Sequence, residues 1–516
     1  MKKITILSFL IALVLSGCGK DYLITVPTGS TSAATIFETT DGAAMAINGL
    51  NKLMNRQWIG TQGYNGEGTI KLFYGDYPGE TMYVANLTGW VNTINGEYHA
   101  NNNDTRARYA WHYYYMLIGN ANTILDQIDN CEGLETEKQF IKAQALTYRA
   151  YAYMNLIQLY AVRWCDSENG NANGVVLRID TSVDPMPLAT QAQVYKQIYD
   201  DLDEAITLFK ASGINRSDES QVGLEVAYAT YARTAITKQD YAKALEMAGL
   251  ARTGYPLMSV ADYKKGFNAP TSEWIWYLYG CETETLYYYS YFAYVGYNAA
   301  ASQVRSYPKC INREYFEKIP DTDIRKSLFL DPTGYTWTTS TGKASTALQN
   351  YAHTYAQTNF NNDFASNGTA FAWMQFKIAT DGQPGIGHLN LFRSSEMLLI
   401  EAEAEYFLNH PTNAQNLLVE LNATSGRDPA YTCSKTGDDL LKEIKFYRGI
   451  ELWGEGFNWF DLKRWKDPLT RHTYADGGNF IASMAVSYPA TGASSRNEWT
   501  WVIPKQETDY NPLITK

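Results

Sequence analysis

The sequence predicts a mainly α protein: a scaffold of degenerate tetratricopeptide-like helical repeats carrying long irregular, loop-rich insertions and a few short strands. Three observations predict it. Apolar residues recur at helical spacing in several separate stretches, as in Ala143, Leu146, Ala150, Tyr153, Leu156 and Tyr160. One stretch fits the helix-turn-helix template of about 34 residues. With Glu225 at its first position, Ala232, Ala244 and Ala251 take the small positions, Tyr228 the aromatic one and Pro256 the closing proline. Finally, residues 60–105 and 260–375 lack a sustained period and are rich in Gly, Asn and aromatic residues. That is the composition of long loops, which on a rigid scaffold tend to carry binding sites.

The elements follow in order. Lys2 and Lys3 precede an apolar run, Ile4 to Leu15, that is too short to cross a bilayer and has the length of a signal-peptide core. Leu15-Ser16-Gly17-Cys18 closes it in the manner of a bacterial lipobox. The expectation is a signal peptide over 1–17, a lipidated Cys18 anchoring the chain to a membrane, a polar tether over 18–35 and a single domain over 36–516. Helices are expected near 40–55, 109–130, 138–161, 191–210 and, as a pair, 224–252. A second, looser repeat spans 395–428, with Ala402 and Ala414 at small positions and Gly426 in place of the proline. The repeat-like helices thus occupy about 109–255 and 390–465. Trp274 and Trp276 sit in an all-apolar run and read as a buried strand.

Composition narrows the function. A net charge of −11 argues against nucleic acid, whose phosphates call for clustered Lys and Arg. The cysteines, Cys18, Cys131, Cys165, Cys281, Cys310 and Cys433, include no CxxC pair, so neither a zinc site nor a redox pair is indicated. Disulfides are open, and spacing cannot pair them. The histidines show no metal spacing, and no nucleophile elbow, P-loop or dinucleotide fingerprint occurs. Asp321, Asp323 and Asp331 do not follow a calcium-loop spacing. No catalytic residue, metal or cofactor is therefore expected. Carboxylate pairs such as Asp76/Glu80 arise readily among 54 acidic residues. The 40 tyrosines exceed what a core needs, and Tyr and Trp suit wet binding surfaces.

Residues 447–465 read YRGIELWGEGFNWFDLKRW, and 499–512 read WTWVIPKQETDYNP. Upstream lie RSSEMLLIEAEA at 393–404 and AQALTYRAYAYMNLIQLYA at 143–161. With the lipobox, this order of landmarks resembles the SusD/RagB family of outer-membrane lipoproteins over nearly all of the chain. Arg448, Glu451, Glu455, Trp459, Asp461 and Arg464 match the family's C-terminal motif, while Tyr447 and Asn458 stand where the family usually has Glu and Arg. The motif also has a plain reading: Arg448, Glu451 and Glu455 can pair along one helix face, with Trp459 and Phe460 folding back into the core. The resemblance implies a non-enzymatic nutrient binder at the cell surface. It would hand a glycan, or in some members a peptide, to a SusC-like TonB-dependent outer-membrane transporter. A protein-interaction scaffold without glycan binding is the other reading.

A pyranose offers an apolar C–H face and a rim of hydroxyls, so its binder needs exposed rings beside polar side chains. Two loop regions have that mix. Asp76, Tyr83, Trp90 and Asn101 come from 73–104, and Tyr288, Tyr291, Arg305 and Trp337 from 287–337. These are the expected ligand-binding residues.

Overall fold

Thr39 starts the first long helix. Its side chain accepts a hydrogen bond from the Gly42 amide and caps α1 (Thr40–Leu53), which buries Ala43, Ile47 and Leu50. The computed structural model describes residues 33–57, 63–85, 91–280, 289–492 and 499–514. Cys18, the signal peptide and most of the expected tether lie outside them; the last tether residues enter a helical turn, Ala33–Ile36.

The periodic stretches become α2 (Thr105–Gln127), α3 (Glu135–Tyr160), α4 (Gln191–Ser212), α5 (Leu224–Thr237) and α6 (Tyr241–Arg252). Thr190 and Gln193 form a capping box at the start of α4. α3 packs against both α2 and α4, so most of its surface is buried and its apolar stripe widens to nearly the full circumference. Ala232, Ala244 and Ala251 are fully buried in the α5–α6 pair, as the template requires. α6 packs onto α8 (Ser394–Phe407), which leads to α9 (Pro411–Val419). The helices thus stack in succession, each burying its apolar face against its neighbours.

Two regions depart from the loop expectation. Gly66–Thr69 is helical and continues into a π-helical stretch, Ile70–Asp76, with every residue of both buried. A helix enclosed on all sides has no polar face, so periodicity does not reveal it. The other departure is α7 (Thr346–Phe360), whose buried Leu348, Ala352 and Ala356 recur every fourth residue within a polar sequence. Elsewhere the insertions form short helices and strands, and the strands of the described residues pair two by two. β1 (Met82–Val84) pairs antiparallel with β5 (Lys309–Ile311), setting Tyr83 opposite Cys310. β2 (Asn173–Val176) pairs with β3 (Leu188–Thr190). β4 (Trp274–Leu278) pairs with β6 (Leu389–Arg393), and Trp274 and Trp276 are fully buried, as expected. α10 (Gly437–Glu451) and α11 (Asn458–Trp465) carry the C-terminal motif. Among the described residues, Cys131, Cys165, Cys310 and Cys433 are free thiols, and no helix is long and apolar enough to cross a membrane.

Candidate functional site

The C-terminal motif is built differently from the pairing along one helix face. α10 ends at Glu451, and Gly454 and Gly456, with φ of +78° and +90°, turn the chain before α11. Positive φ there favours glycine, and a Cβ at Gly456 would lie 2.6 Å from the Lys71 Cα. The turn breaks the helical register, so the acids find partners far away in sequence. Glu451 accepts from Arg325 Nη1 at 2.9 Å and from Arg393 Nη1 at 2.8 Å, and lies 3.3 Å from Arg427 Nε. Glu455 accepts from Arg393 Nε at 2.8 Å and Lys377 Nζ at 2.7 Å. Glu273 pairs with Arg393 and Arg427. Asp323, one of the acids weighed as a calcium ligand, pairs with Arg325. Burial alone would raise these carboxyls. The surrounding guanidiniums outweigh it, holding Glu451 well below the usual range and Glu455 at about 2.

Arg448 turns instead to Asp461, with Nε to Oδ2 at 2.7 Å, and Arg464 bonds the other Asp461 oxygen at 2.9 Å and Glu403 at 2.7 Å. Trp459 is buried, stacked on His99 with ring centroids 5.2 Å apart. Tyr447 carries the Arg325 guanidinium 5.0 Å over its ring, and the Asn458 side chain accepts from the Glu80 and Thr81 amides at 2.6 and 3.2 Å. Both departures from the family pattern are therefore filled by other contacts.

Of the expected ligand-binding residues, three are buried. Asp76 ends the π-helical stretch and accepts from the Gly456 amide at 2.8 Å; burial pushes its carboxyl up to about 7. Tyr83 is enclosed because β1 is covered on both faces. Tyr291 packs against Gly68 and donates through its hydroxyl to the Gly454 carbonyl. These enclosed positions correct the expectation of exposure; polar tips satisfied by backbone let such side chains enter a core. Asn101 is exposed, and its side chain accepts from the Asn103 amide at 3.1 Å. Arg305 is half-buried. Trp90 and Tyr288 lie outside the described residues.

Trp337 is half-buried and rigidly placed. It opens a small hairpin bridged at Trp337–Ala344, and its ring meets the Trp373 ring edge-on at 5.3 Å. Trp373 has a left-handed backbone, with φ of +61°, and contacts Tyr474 with centroids 6.1 Å apart. The Arg313 guanidinium lies 5.5 Å from the Trp373 ring centre. Tyr83 supports the same hairpin by donating to the Thr341 carbonyl at 3.2 Å. Two expected residues from distant segments, Tyr83 and Trp337, are thus brought together. Trp373, Tyr474 and Arg313 complete the group. The loop reading of 260–375 hid Trp373, and Tyr474 falls in no recognised motif.

A cleft of about 870 Å³ opens along α10 and α11. Tyr315, Phe446, Phe457 and Trp465 supply its rings, Asp76, Arg448 and Asp461 are among its buried lining residues, and Lys318, Lys435, Lys442 and Lys445 are also part of it. Glu80 in its wall accepts from the Tyr315 hydroxyl at 2.9 Å and the Thr470 amide at 3.1 Å.

Residues 235–516 match a family model described as SusD family, and residues 51–235 match one described as starch-binding associating with outer membrane. No curated protein matches the chain. Among solved structures, a SusD-like carbohydrate binding protein from Bacteroides vulgatus is 21% identical, with a TM-score of 0.75 over 92% of this chain and 97% of that one. A SusD superfamily protein from the same organism is 20% identical, with a TM-score of 0.72 over 93% of this chain and 98% of that one. Another, from Bacteroides thetaiotaomicron, is 19% identical, with a TM-score of 0.71 over 92% and 99%. At these identities the likeness is one of fold.

Proposed function

The chain belongs to the SusD family, and from that premise we propose that it is a glycan-binding protein of the outer-membrane surface, held by a lipid on Cys18, that passes its ligand to a SusC-like TonB-dependent transporter. The observation that carries the glycan reading is Trp337. Its half-exposed indole is braced by Trp373 and the hairpin, so it offers a pyranose a ring that loses little freedom on binding. Arg313 and Tyr474 flank Trp373 behind it, and Arg313 is the polar group of this cluster suited to a sugar hydroxyl. The description of the family model matched by residues 51–235 supports the same ligand class.

The protein acts by binding, not by hydrolysis. The carboxylate pair that reached the cleft, Asp76 and Glu80, is committed: Asp76 to the Gly456 amide, and both Glu80 oxygens to Tyr315 and Thr470. A glycosidase presents an acid and a base or nucleophile to its substrate across a cleft, and Asp76 is enclosed, 1% exposed.

The test is a glycan-array screen followed by calorimetry on the soluble chain that begins after Cys18, which retains every described element. Binding to one polysaccharide class is expected, with Trp337→Ala weakening it about tenfold, the equivalent of about 1.4 kcal/mol. Unchanged affinity in that variant, or binding of peptides alone, overturns the glycan reading. Recovery of a barrel transporter from outer membranes with the lipidated chain tests the delivery step.

A further inference from the structure

We propose that the cleft along α10 is a second binding site, separate from Trp337, and that it takes the carboxylate of an acidic sugar such as a hexuronate unit. The pyranose part of this inference rests on the glycan reading above; the carboxylate part rests on Arg448.

Arg448 is 2% exposed and lines the cleft. Its Nε is used by Asp461, at 2.7 Å, but Nη1 is shielded from solvent and has no hydrogen-bond partner among the described residues. A buried guanidinium nitrogen left without an acceptor is costly, and the planar end of a guanidinium matches a carboxylate with two parallel hydrogen bonds. Asp461 does not offset the deficit, because its other oxygen is taken by Arg464.

The remaining charges of the cleft point the same way. Asp467 is paired with Lys445 at 2.6 Å, Asp439 with Lys442 at 3.1 Å, and Glu443 with Lys435. Lys318 is exposed and makes no ion pair among the described residues; its ammonium lies 5.8 Å from the Tyr315 ring centre. Asp76 and Glu80, the other acids of the lining, have no ion pair among the described residues; they are held by neutral donors, and burial raises both carboxyls, which favours their uncharged forms. The cleft walls supply the apolar face: Tyr315 and Phe446 lie nearly parallel, 19° apart with centroids at 6.4 Å. A volume of about 870 Å³ leaves room for more than a single sugar ring. A carboxylate on a stackable ring satisfies both demands, whereas a neutral sugar offers the guanidinium, which shares Asp461 with Arg464, no further negative charge.

Calorimetry on the soluble chain with trigalacturonate and with the neutral galactose trimer tests this. The acidic trimer is expected to bind at least tenfold more tightly than the neutral one. Arg448→Gln removes that preference, Lys318→Ala reduces it about threefold, and Trp337→Ala leaves it intact. Equal affinity for the two trimers overturns the proposal, as does an acidic preference that survives Arg448→Gln. If Arg448→Gln fails to fold, as read by circular dichroism, the exposed Lys318→Glu decides, and unchanged affinity for the acidic trimer overturns the proposal. Binding of a neutral glycan lost in Trp337→Ala, without any acidic preference, leaves the glycan reading standing and this one fallen. No binding of any saccharide, with a tripeptide C-terminus captured through Arg448, overturns both.

Discussion

Glu451 and Arg448 stand one helical turn apart on α10, and their surroundings differ sharply. Glu451 is enclosed by Arg325, Arg393 and Arg427, and Lys377 donates to its backbone carbonyl. Arg448 has one carboxylate and a terminal nitrogen with no acceptor among the described residues. The first is an enclosed ionic cluster, away from the cleft, in which the counter-charges of a buried acid all come from the chain itself. The second is an open one, at the wall of a cleft. Arg427 in the first region also has two guanidinium nitrogens, Nε and Nη1, without a hydrogen-bond partner among the described residues, but it is enclosed and lines no part of the cleft; Arg448 does line it, so there the unused nitrogen has capacity left for a ligand.

The largest expected effect tests the closed side. Glu451→Ala leaves three guanidiniums short of an acceptor and should cost about 3–5 kcal/mol, or abolish folding. Urea unfolding measures it, and a loss under about 1 kcal/mol would dissolve the distinction between the two regions.

Asp76 comes next, as a buried carboxyl in the wall of the open region. Its folded value of about 7 lies above its ordinary 3.8, so between these pH values the folded chain holds a proton that the unfolded chain has released. Its ionised form therefore costs stability above pH 7, and the cost fades as pH falls toward 4. Asp76→Asn keeps an acceptor for the Gly456 amide and should stabilise the protein by about 1–3 kcal/mol at pH 8, with almost no change at pH 4. Thermal melts at the two pH values give the difference, and equal shifts at both would contradict the burial argument.

Arg448→Gln should be mild. Asp461 keeps Arg464, so no carboxylate is stranded, and the expected loss is about 1 kcal/mol. A loss as large as that of Glu451→Ala would mean that Arg448 belongs to the closed cluster after all. The smallest effect is set by a neutral contact: Tyr83→Phe removes one hydrogen bond to the Thr341 carbonyl and should cost about 0.5–1 kcal/mol in the same unfolding assay.

The helical scaffold was legible because its signal is local. Ala143, Leu146, Ala150 and Tyr153 lie on one face whatever the rest of the chain does, and the template alanines mark a helix crossing within a few turns. The Gly66–Asp76 stretch was not legible, since a helix buried all round has no face to alternate, and α7 hid its Leu348, Ala352 and Ala356 among polar residues. At the site, Trp337 emerged half-exposed and Asn101 exposed, while Asp76, Tyr83 and Tyr291 went inside. An aromatic or acidic side chain in a loop has the same appearance in either place. What separates them is the partner it meets, and for Tyr83 that partner is Thr341, for Asp76 it is Gly456.

From its residues alone, then, the chain declares its helix-rich repeat scaffold, its expected export signal and its family, because these rest on spacing over short distances. The tertiary structure decided which charges are saturated and which rings reach the surface. Those outcomes depend on contacts between segments hundreds of residues apart, and no local pattern records whether a buried arginine has found all of its acceptors.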